Sequence, residues 1–321
     1  MTKENRFKPA WWLPGPHAQT LWPHLFRRLP RLKLIPERLE LPDGDFVDLC
    51  WTERRPGPIV AVFHGLEGCI RSPYATGIMA AIHSKGWRGV FMHCRGCSGE
   101  PNRLNRSYHS GDTGDIGYLL QTLRQRHPGT PLAAVGYSLG GNALLKYLGE
   151  DENEKYLAVA AAVSVPFILS DSADRLERGV SRFYQYYLLH RLHKKTASKF
   201  AGKQSPIALS NLFNLNTFRS FDNEITAPLH GFRNVDDYYN RCSSRQFLKN
   251  IHTPVLIINA MDDPFMTPAV IPKPDELSEQ VRLELSETGG HVGFISGNVP
   301  WHARYWLEER IPEYLQKFIG N

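Results

Sequence analysis

The chain has 321 residues, of which 42% are hydrophobic and 22% charged, and its formal net charge at neutral pH is +6. Such a length suits one large domain or two modest ones, and the composition excludes a disordered chain, a coiled coil and a collagen-like repeat. The best apolar run, residues 157–169, is too short to cross a membrane. The charged start without an apolar stretch predicts no secretory signal, so we expect a cytoplasmic location.

Residues 1–38 are predicted to form an N-terminal arm. Residues 1–40 contain eight Lys or Arg and three Glu, together with Trp11, Trp12 and Trp22. A segment of this kind can associate weakly with an anionic membrane surface, or it can pack its aromatic rings on the domain and leave its charges in water. No nucleic-acid-binding motif is present, so we expect no nucleic-acid partner.

Short apolar runs and amphipathic segments alternate along the next part of the chain. Residues 39–51 alternate apolar and polar side chains around Asp43-Gly44, which predicts an antiparallel hairpin. Strands are predicted at residues 58–63, 89–92, 131–135, 159–163, 254–258 and 281–285, and helices at residues 74–85, 111–126, 142–149 and 303–319. This order predicts an α/β fold in which helices cover both faces of a mainly parallel, twisted sheet.

The alternation is interrupted over residues 166–250, where a basic, aromatic helix candidate spans residues 180–203. An insertion into one α/β domain that spans residues 1–321 is the simplest interpretation. The insertion is predicted to be a helical cap or lid over a site. Solvated packing helices would give the same pattern, so that alternative stays open.

One strand runs into a sequence of the form G-x-S-x-G, residues 136–140, with Ser138 at its centre. In a sharp strand-to-helix turn the central serine adopts a strained backbone that exposes its hydroxyl, and the flanking glycines let neighbouring elements pass closely. The backbone N–H of Leu139 would then face a developing oxyanion at the start of the helix. The sequence therefore predicts Ser138 as a nucleophile.

A serine hydroxyl needs a base and a residue that orients that base. Asp262 and Asp263 follow one later strand, and His291 follows the next, which is the order expected for a Ser, Asp, His triad on this kind of sheet. Either segment alone could be an ordinary turn or loop. Their joint occurrence in this order predicts His291 as the general base and Asp263 as its orienting acid, with Asp262 as the alternative acid.

A second oxyanion donor is expected from the loop after an early strand. The segment His64-Gly65-Leu66-Glu67-Gly68 follows the predicted strand at residues 58–63, and we expect the Leu66 N–H to be that donor. His64, Glu67 and Asp262 are predicted to support the site from outside it.

No metal or cofactor is expected, because the sequence contains no P-loop, no dinucleotide-binding glycine fingerprint and no H-E-x-x-H motif. Cys94 and Cys97 form a C-x-x-C, but no second cysteine pair completes a zinc site. We interpret these two cysteines as packing or loop residues. The odd number of cysteines, five, argues against a disulfide framework.

Taken together, these segments make the chain resemble the α/β-hydrolase superfamily. More narrowly, the chain is similar to its bacterial YheT-like branch, which is related to the ABHD1/2/3 group of eukaryotic esterases and lipases. The resemblance covers nearly the whole chain and depends on residues 14–20, 64–68 with 72–74, 95–99, 107–111, 136–141, 262–264 and 289–293. It implies Ser138 as nucleophile, His291 as base and then acid, Asp263 as the orienting residue, and a small-molecule or lipid ester as substrate without a cofactor.

Three functions follow as hypotheses. The first is a serine carboxylesterase. The second is a peripheral lipase that cleaves acylglycerols or phospholipids, with the basic arm and the helix at residues 180–203 on an anionic membrane. The third is a non-catalytic ligand-binding module that retains the scaffold.

Overall fold

The computed structural model describes residues 7–53, 56–150 and 156–320, so the first six residues of the predicted arm lie outside the described part. Its centre is an eight-stranded sheet with the spatial order β1-β2-β4-β3-β5-β6-β7-β8. The strands are β1 (Ile35–Glu40), β2 (Phe46–Trp51), β3 (Ile59–Phe63), β4 (Arg88–Met92), β5 (Leu132–Tyr137), β6 (Val159–Val163), β7 (Val255–Ala260) and β8 (Val281–Ser286). Strands β3 to β8 run parallel, and β2 is antiparallel to both of its neighbours.

Helices cover both faces of this sheet. In chain order, the helices among the described residues are α1 (Pro16–Phe26), α2 (Pro73–Ser84), α3 (Gly114–Arg126), α4 (Leu139–Gly149), α5 (Leu169–Leu176), α6 (Ser181–Phe200), α7 (Phe218–Phe221), α8 (Ala227–Leu229), α9 (Val235–Cys242) and α10 (Leu307–Ile319). Helices α3 and α4 pack on one face, and α2 and α10 pack on the other. The mainly parallel sheet with helices on both faces, predicted from the sequence, is confirmed.

The central strands are buried on both faces, which explains their continuous apolar sequences. In β3, Ile59, Ala61 and Phe63 face the core under α3 and α4, whereas Val60 and Val62 face the core under α2 and α10. Parallel registration aligns the carboxyl ends of β3, β5 and β6, with Phe63 opposite Gly136 and Gly136 opposite Ala162. The loops that follow these strands therefore meet at one edge of the sheet.

The first part of the chain differs from the sequence-based expectation. The opening hairpin begins at Ile35 rather than at residue 39, so the last residues of the predicted 1–38 arm belong to the sheet. Helix α1 was not predicted, because Pro16 and Pro23 obscure its periodicity. Pro16 is tolerated in the first turn of α1, where its missing N–H has no partner to lose.

Residues 166–250 lie between β6 and β7 and contain α5 to α9. Their apolar side chains form a separate cluster around Leu169, Tyr184, Phe221 and Tyr238. Leu21, Leu66 and Phe265 pack against this cluster from the rest of the protein. Among the described residues, no helix has the length and hydropathy that crossing a membrane requires.

Candidate active site

Ser138 lies in the turn between β5 and α4 with φ 52° and ψ −120°. A positive φ is strained for a residue other than glycine, and here it points the side chain out of the turn. A Cβ on Gly136 would lie 2.6 Å from the carbonyl oxygen of Gly140, and a Cβ on Gly140 would lie 2.5 Å from that of His64. The two glycines are therefore required by close backbone approaches on both sides of Ser138.

His291 contacts both other members of the predicted triad. Its Nε2 lies 3.0 Å from Ser138 Oγ, and its Nδ1 lies 2.8 Å from Asp263 Oδ2. Asp263 is buried, and its second oxygen accepts the backbone N–H of Phe265 at 2.8 Å. An ionised Asp263 accepts the Nδ1–H of a neutral imidazole, which leaves Nε2 free to accept the serine proton.

Asp262 has a different set of contacts from Asp263. Its carboxylate accepts the backbone N–H of Gly290 at 2.9 Å, in the loop that precedes His291. Burial raises the pKa of Asp262 above its ordinary value. The geometry thus places Asp263 on the imidazole and Asp262 on the backbone of the loop.

Three consecutive backbone N–H groups hold the loop around His291. The N–H of Gly290 donates to Asp262, that of His291 donates to Thr20 Oγ1 at 2.9 Å, and that of Val292 donates to Ser164 Oγ at 3.0 Å. Three different parts of the chain supply these acceptors, so the position of His291 depends on the assembled tertiary structure.

Helix α1 is one of these supports. Gln19 is buried, and its amide accepts the N–H of Ile295 at 2.7 Å and donates to the carbonyl oxygen of the same residue at 3.1 Å. A Cβ on Gly290 would lie 2.5 Å from the carbonyl oxygen of Pro16, so this loop passes directly over α1. Residues 14–20 carry part of the family resemblance, but their sequence did not predict this supporting role.

The side chain of Phe265 also contacts His291, which was not predicted from the sequence. Its ring stacks on the imidazole of His291 with centroids 3.9 Å apart and planes 4° from parallel. Asp263 and Phe265 thus fix the imidazole together, the first at its edge and the second on its face. A motif of the form Asp-Asp-Pro-Phe carries no signal for such stacking.

We expect Thr20→Val to lower kcat for the ester cleavage that the sequence predicts by about tenfold to a hundredfold, while KM changes little. Valine has nearly the same shape but cannot accept the His291 N–H, so the imidazole loses one of its supports. Steady-state kinetics on a soluble ester would measure this split between kcat and KM.

Thr20→Ser is the matched control, because it keeps the hydroxyl and should retain kcat close to the wild-type value. A kcat for Thr20→Val equal to that of wild type, in a protein of unchanged thermal stability, would contradict a positioning role for Thr20.

The loop after β3 lies directly against Ser138. A Cβ on Gly65 would lie 3.1 Å from Ser138 Cβ. The N–H of Gly65 donates to Tyr74 Oη at 3.0 Å, whereas no described residue accepts a hydrogen bond from the N–H of Leu66. Leu139 is the first residue of α4, where helix geometry leaves the N–H without an intrahelical acceptor.

His64 and Glu67 lie beside this loop and have different contacts. His64 is fully buried, and its Nε2 accepts the N–H of Cys94 at 2.9 Å, so its Nδ1–H donates to the carbonyl oxygen of Gly65 at 2.6 Å. Both ring nitrogens are therefore used by the backbone. Glu67 has φ 55°, accepts from the hydroxyl of Tyr108 at 2.9 Å and forms an ion pair with Lys195 of α6.

A cavity of about 610 Å³ opens beside Ser138 and His291. Its walls are mainly apolar and come from α1, α5 and α6 and from the segment around α7 and α8, including Leu25, Leu176, Leu188, Phe221 and Ile225. Three cationic side chains, Arg191, Lys195 and Lys199, line the cavity from successive turns of α6. Burial lowers the pKa of Lys199 to about 8, because a charged amine is costly in apolar surroundings.

No group of three or more His, Cys, Asp or Glu side chains within the described ranges is arranged to hold a metal ion. Cys94 and Cys97 are free cysteines rather than a disulfide. The thiol of Cys97 lies 3.0 Å from Lys195 Nζ, and burial raises its pKa to about 11, so it stays protonated at neutral pH. Cys97 therefore packs as a protonated thiol beside the Glu67–Lys195 ion pair.

Comparison with known proteins agrees with this architecture. The family model described as the alpha/beta hydrolase fold matches residues 58–298. The chain belongs to the α/β-hydrolase family.

Within this family the chain is similar to esterase- and lipase-type members. It is 48% identical to the Escherichia coli (strain K12) protein named "Putative esterase YheT", over 94% of this chain and 91% of the relative. It is 28% identical to "Phospholipase ABHD3" of Mus musculus, over 98% of this chain and 79% of the relative. A solved Pyrococcus furiosus esterase, 15% identical, shares the fold with a TM-score of 0.57, over 90% of this chain and 92% of that structure.

Proposed function

We propose that the protein is a serine hydrolase that cleaves carboxylic esters through an acyl-enzyme on Ser138. The observation that carries the proposal is the continuous chain of contacts from Ser138 Oγ to His291 and from His291 to Asp263, which opens into an apolar cavity. Such a chain activates a hydroxyl that is otherwise a weak nucleophile.

In the first half of the reaction, Ser138 Oγ bonds to the ester carbonyl carbon while His291 Nε2 takes the hydroxyl proton. The carbonyl oxygen becomes an oxyanion, for which the N–H groups of Leu66 and Leu139 are the proposed donors. The bond between the carbon and the alcohol oxygen then breaks, and His291 gives its proton to the leaving alcohol. Asp263 offsets the positive charge that the imidazole carries meanwhile.

The second half repeats these steps with water. His291 takes a proton from water as the oxygen bonds to the acyl carbon, and the tetrahedral intermediate collapses. Ser138 leaves with the proton that His291 returns, and the carboxylic acid is released. No other reactant is needed, because ester and water supply every atom of the two products.

The cavity supports esters with an apolar acyl chain as the substrate class. Its volume lies within the range of small-molecule sites, and its walls offer mainly aliphatic and aromatic surface. Arg191, whose guanidinium lies over the ring of Tyr187 in the cavity wall, adds a positive charge that is suited to an anionic or polar head of the ester.

Covalent labelling by a fluorophosphonate tests the proposal, because the probe modifies a serine that is activated beside an oxyanion site. We expect intact-mass analysis to find one adduct on the wild-type protein and none on Ser138→Ala. Absence of labelling on a folded wild-type protein, with both small and long-chain probes, would contradict the proposal and favour a ligand-binding module.

A further inference from the structure

The mouth of the active-site cavity lies between α1 and the first half of α6. Leu25, Phe183 and Tyr187 line the cavity and are nevertheless 67%, 59% and 52% exposed, which is possible only where the cavity meets solvent. The two helices touch each other where His17 Nδ1 lies 3.0 Å from Tyr184 Oη. The cavity therefore opens to solvent between these two helices.

Large apolar side chains are exposed on the two segments that form this mouth, and three of them line the cavity. Of the fourteen exposed large hydrophobic residues among those described, seven lie in the two short stretches 25–29 and 180–187. We call these seven the mouth surface: Leu25, Phe26, Leu29, Val180, Phe183, Tyr186 and Tyr187. A cluster of exposed apolar groups is typical of an interaction site, whereas scattered ones are ordinary.

The segments that carry the mouth surface are strongly basic. Residues 16–34 contain four Lys or Arg and no acidic residue. Helix α6 contains five Lys or Arg and no acidic residue, and two of its five cations, Lys195 and Lys199, line the cavity. Arg28, Arg31, Arg182 and Lys194 are exposed and form no ion pair with another described residue. Basic side chains attract negatively charged groups, and exposed aromatic rings next to them can enter an apolar layer. The combination suits a partner whose negatively charged surface covers an apolar interior.

We infer that the mouth surface docks on an anionic lipid bilayer, so that a lipid ester passes from the bilayer into the cavity. The delivery of a lipid ester rests on the proposed ester hydrolysis. The docking itself rests on the exposed aromatic rings and the exposed cations. A second copy of this chain fits poorly as the occupant, because a two-fold axis through the surface would bring like charges together.

Vesicle binding of the full chain carrying Ser138→Ala tests the docking without hydrolysis of the lipid. We expect it to sediment with vesicles of mixed phosphatidylglycerol and phosphatidylcholine, and to bind pure phosphatidylcholine much more weakly. High salt should release it, because salt screens the attraction of cations to the anionic surface.

Two double variants, both made in the Ser138→Ala protein, separate the contribution of the basic side chains to vesicle binding from that of the apolar side chains. Arg28→Glu with Arg182→Glu should weaken binding to anionic vesicles by at least about tenfold, since each basic residue near such a surface contributes about fivefold. Phe26→Ser with Tyr186→Ser should weaken it through lost insertion of apolar groups. None of these four side chains lines the cavity.

Lys317→Glu with Phe318→Ser is the matched control, because both residues are exposed on α10, which lines no part of the cavity. This variant should bind like the parent. With Ser138 restored, all variants should cleave a soluble ester such as p-nitrophenyl acetate at the wild-type rate.

Three results would overturn the inference: no binding of the parent to anionic vesicles, equal binding of the parent and the mouth-surface variants, or a dimer in solution that the mouth-surface variants abolish. A wild-type protein that does not cleave a soluble ester would contradict the proposed hydrolysis. The vesicle experiment would still decide the docking, because it does not depend on activity.

Discussion

Ser138→Ala is expected to lower kcat/KM for a soluble ester by about 10⁴- to 10⁶-fold. Alanine removes the only atom that bonds to the acyl carbon in the proposed mechanism, while the turn that holds it stays in place. The remaining oxyanion donors and binding contacts account for the residual rate over water.

Steady-state hydrolysis of p-nitrophenyl esters would measure this loss. Ser198→Ala, at an exposed position of α6, is the matched control and should behave like wild type. Adding His291→Ala to Ser138→Ala should cost little more, because the two residues act as one unit. Retention of more than about a tenth of the wild-type kcat/KM by Ser138→Ala would contradict a nucleophilic role.

Asp263→Asn is expected to lower kcat by about 10⁴-fold, whereas Asp262→Asn should lower it by less than about tenfold. An amide at position 263 donates to Nδ1 of His291, so the ring carries its proton on Nε2 and cannot accept the proton of Ser138. An amide at position 262 still offers an oxygen to the N–H of Gly290. The ratio of the kcat losses in the two variants shows which of the two aspartates orients the imidazole.

The measurement is kcat for both variants on the same soluble ester, together with Tm to show that each variant is folded. A larger loss in Asp262→Asn than in Asp263→Asn would contradict the assignment made from the contacts of His291 and would transfer the orienting role to Asp262.

Much of the fold followed from local patterns. The apolar runs of β3 and β5 to β7 had to be buried on both faces, and that requirement specified a mainly parallel sheet with helices on either side. The Ser138 turn was predictable because its strained backbone needs small residues at two fixed positions, Gly136 and Gly140. Such constraints involve residues close together in the chain and are therefore visible in the sequence.

Other features depend on residues far apart in the chain. Helix α1 lies more than 260 residues from His291 in sequence, yet Thr20 accepts its backbone N–H. The stacking of Phe265 on His291 and the pairing of Glu67 with Lys195 are likewise contacts between separate elements. No periodicity or spacing encodes such pairs, because a side chain's partner is set by how the elements pack.

By itself, the sequence determined the fold class, the order of Ser138, Asp263 and His291, and the basic, aromatic character of residues 1–40 and 180–203. Only the tertiary structure decided which aspartate reaches the imidazole, which side chains hold its loop and where the cavity opens. Asp262 and Asp263 are adjacent and chemically identical, so only the direction of each side chain distinguishes them. That direction is set by the burial and hydrogen bonds of the assembled protein.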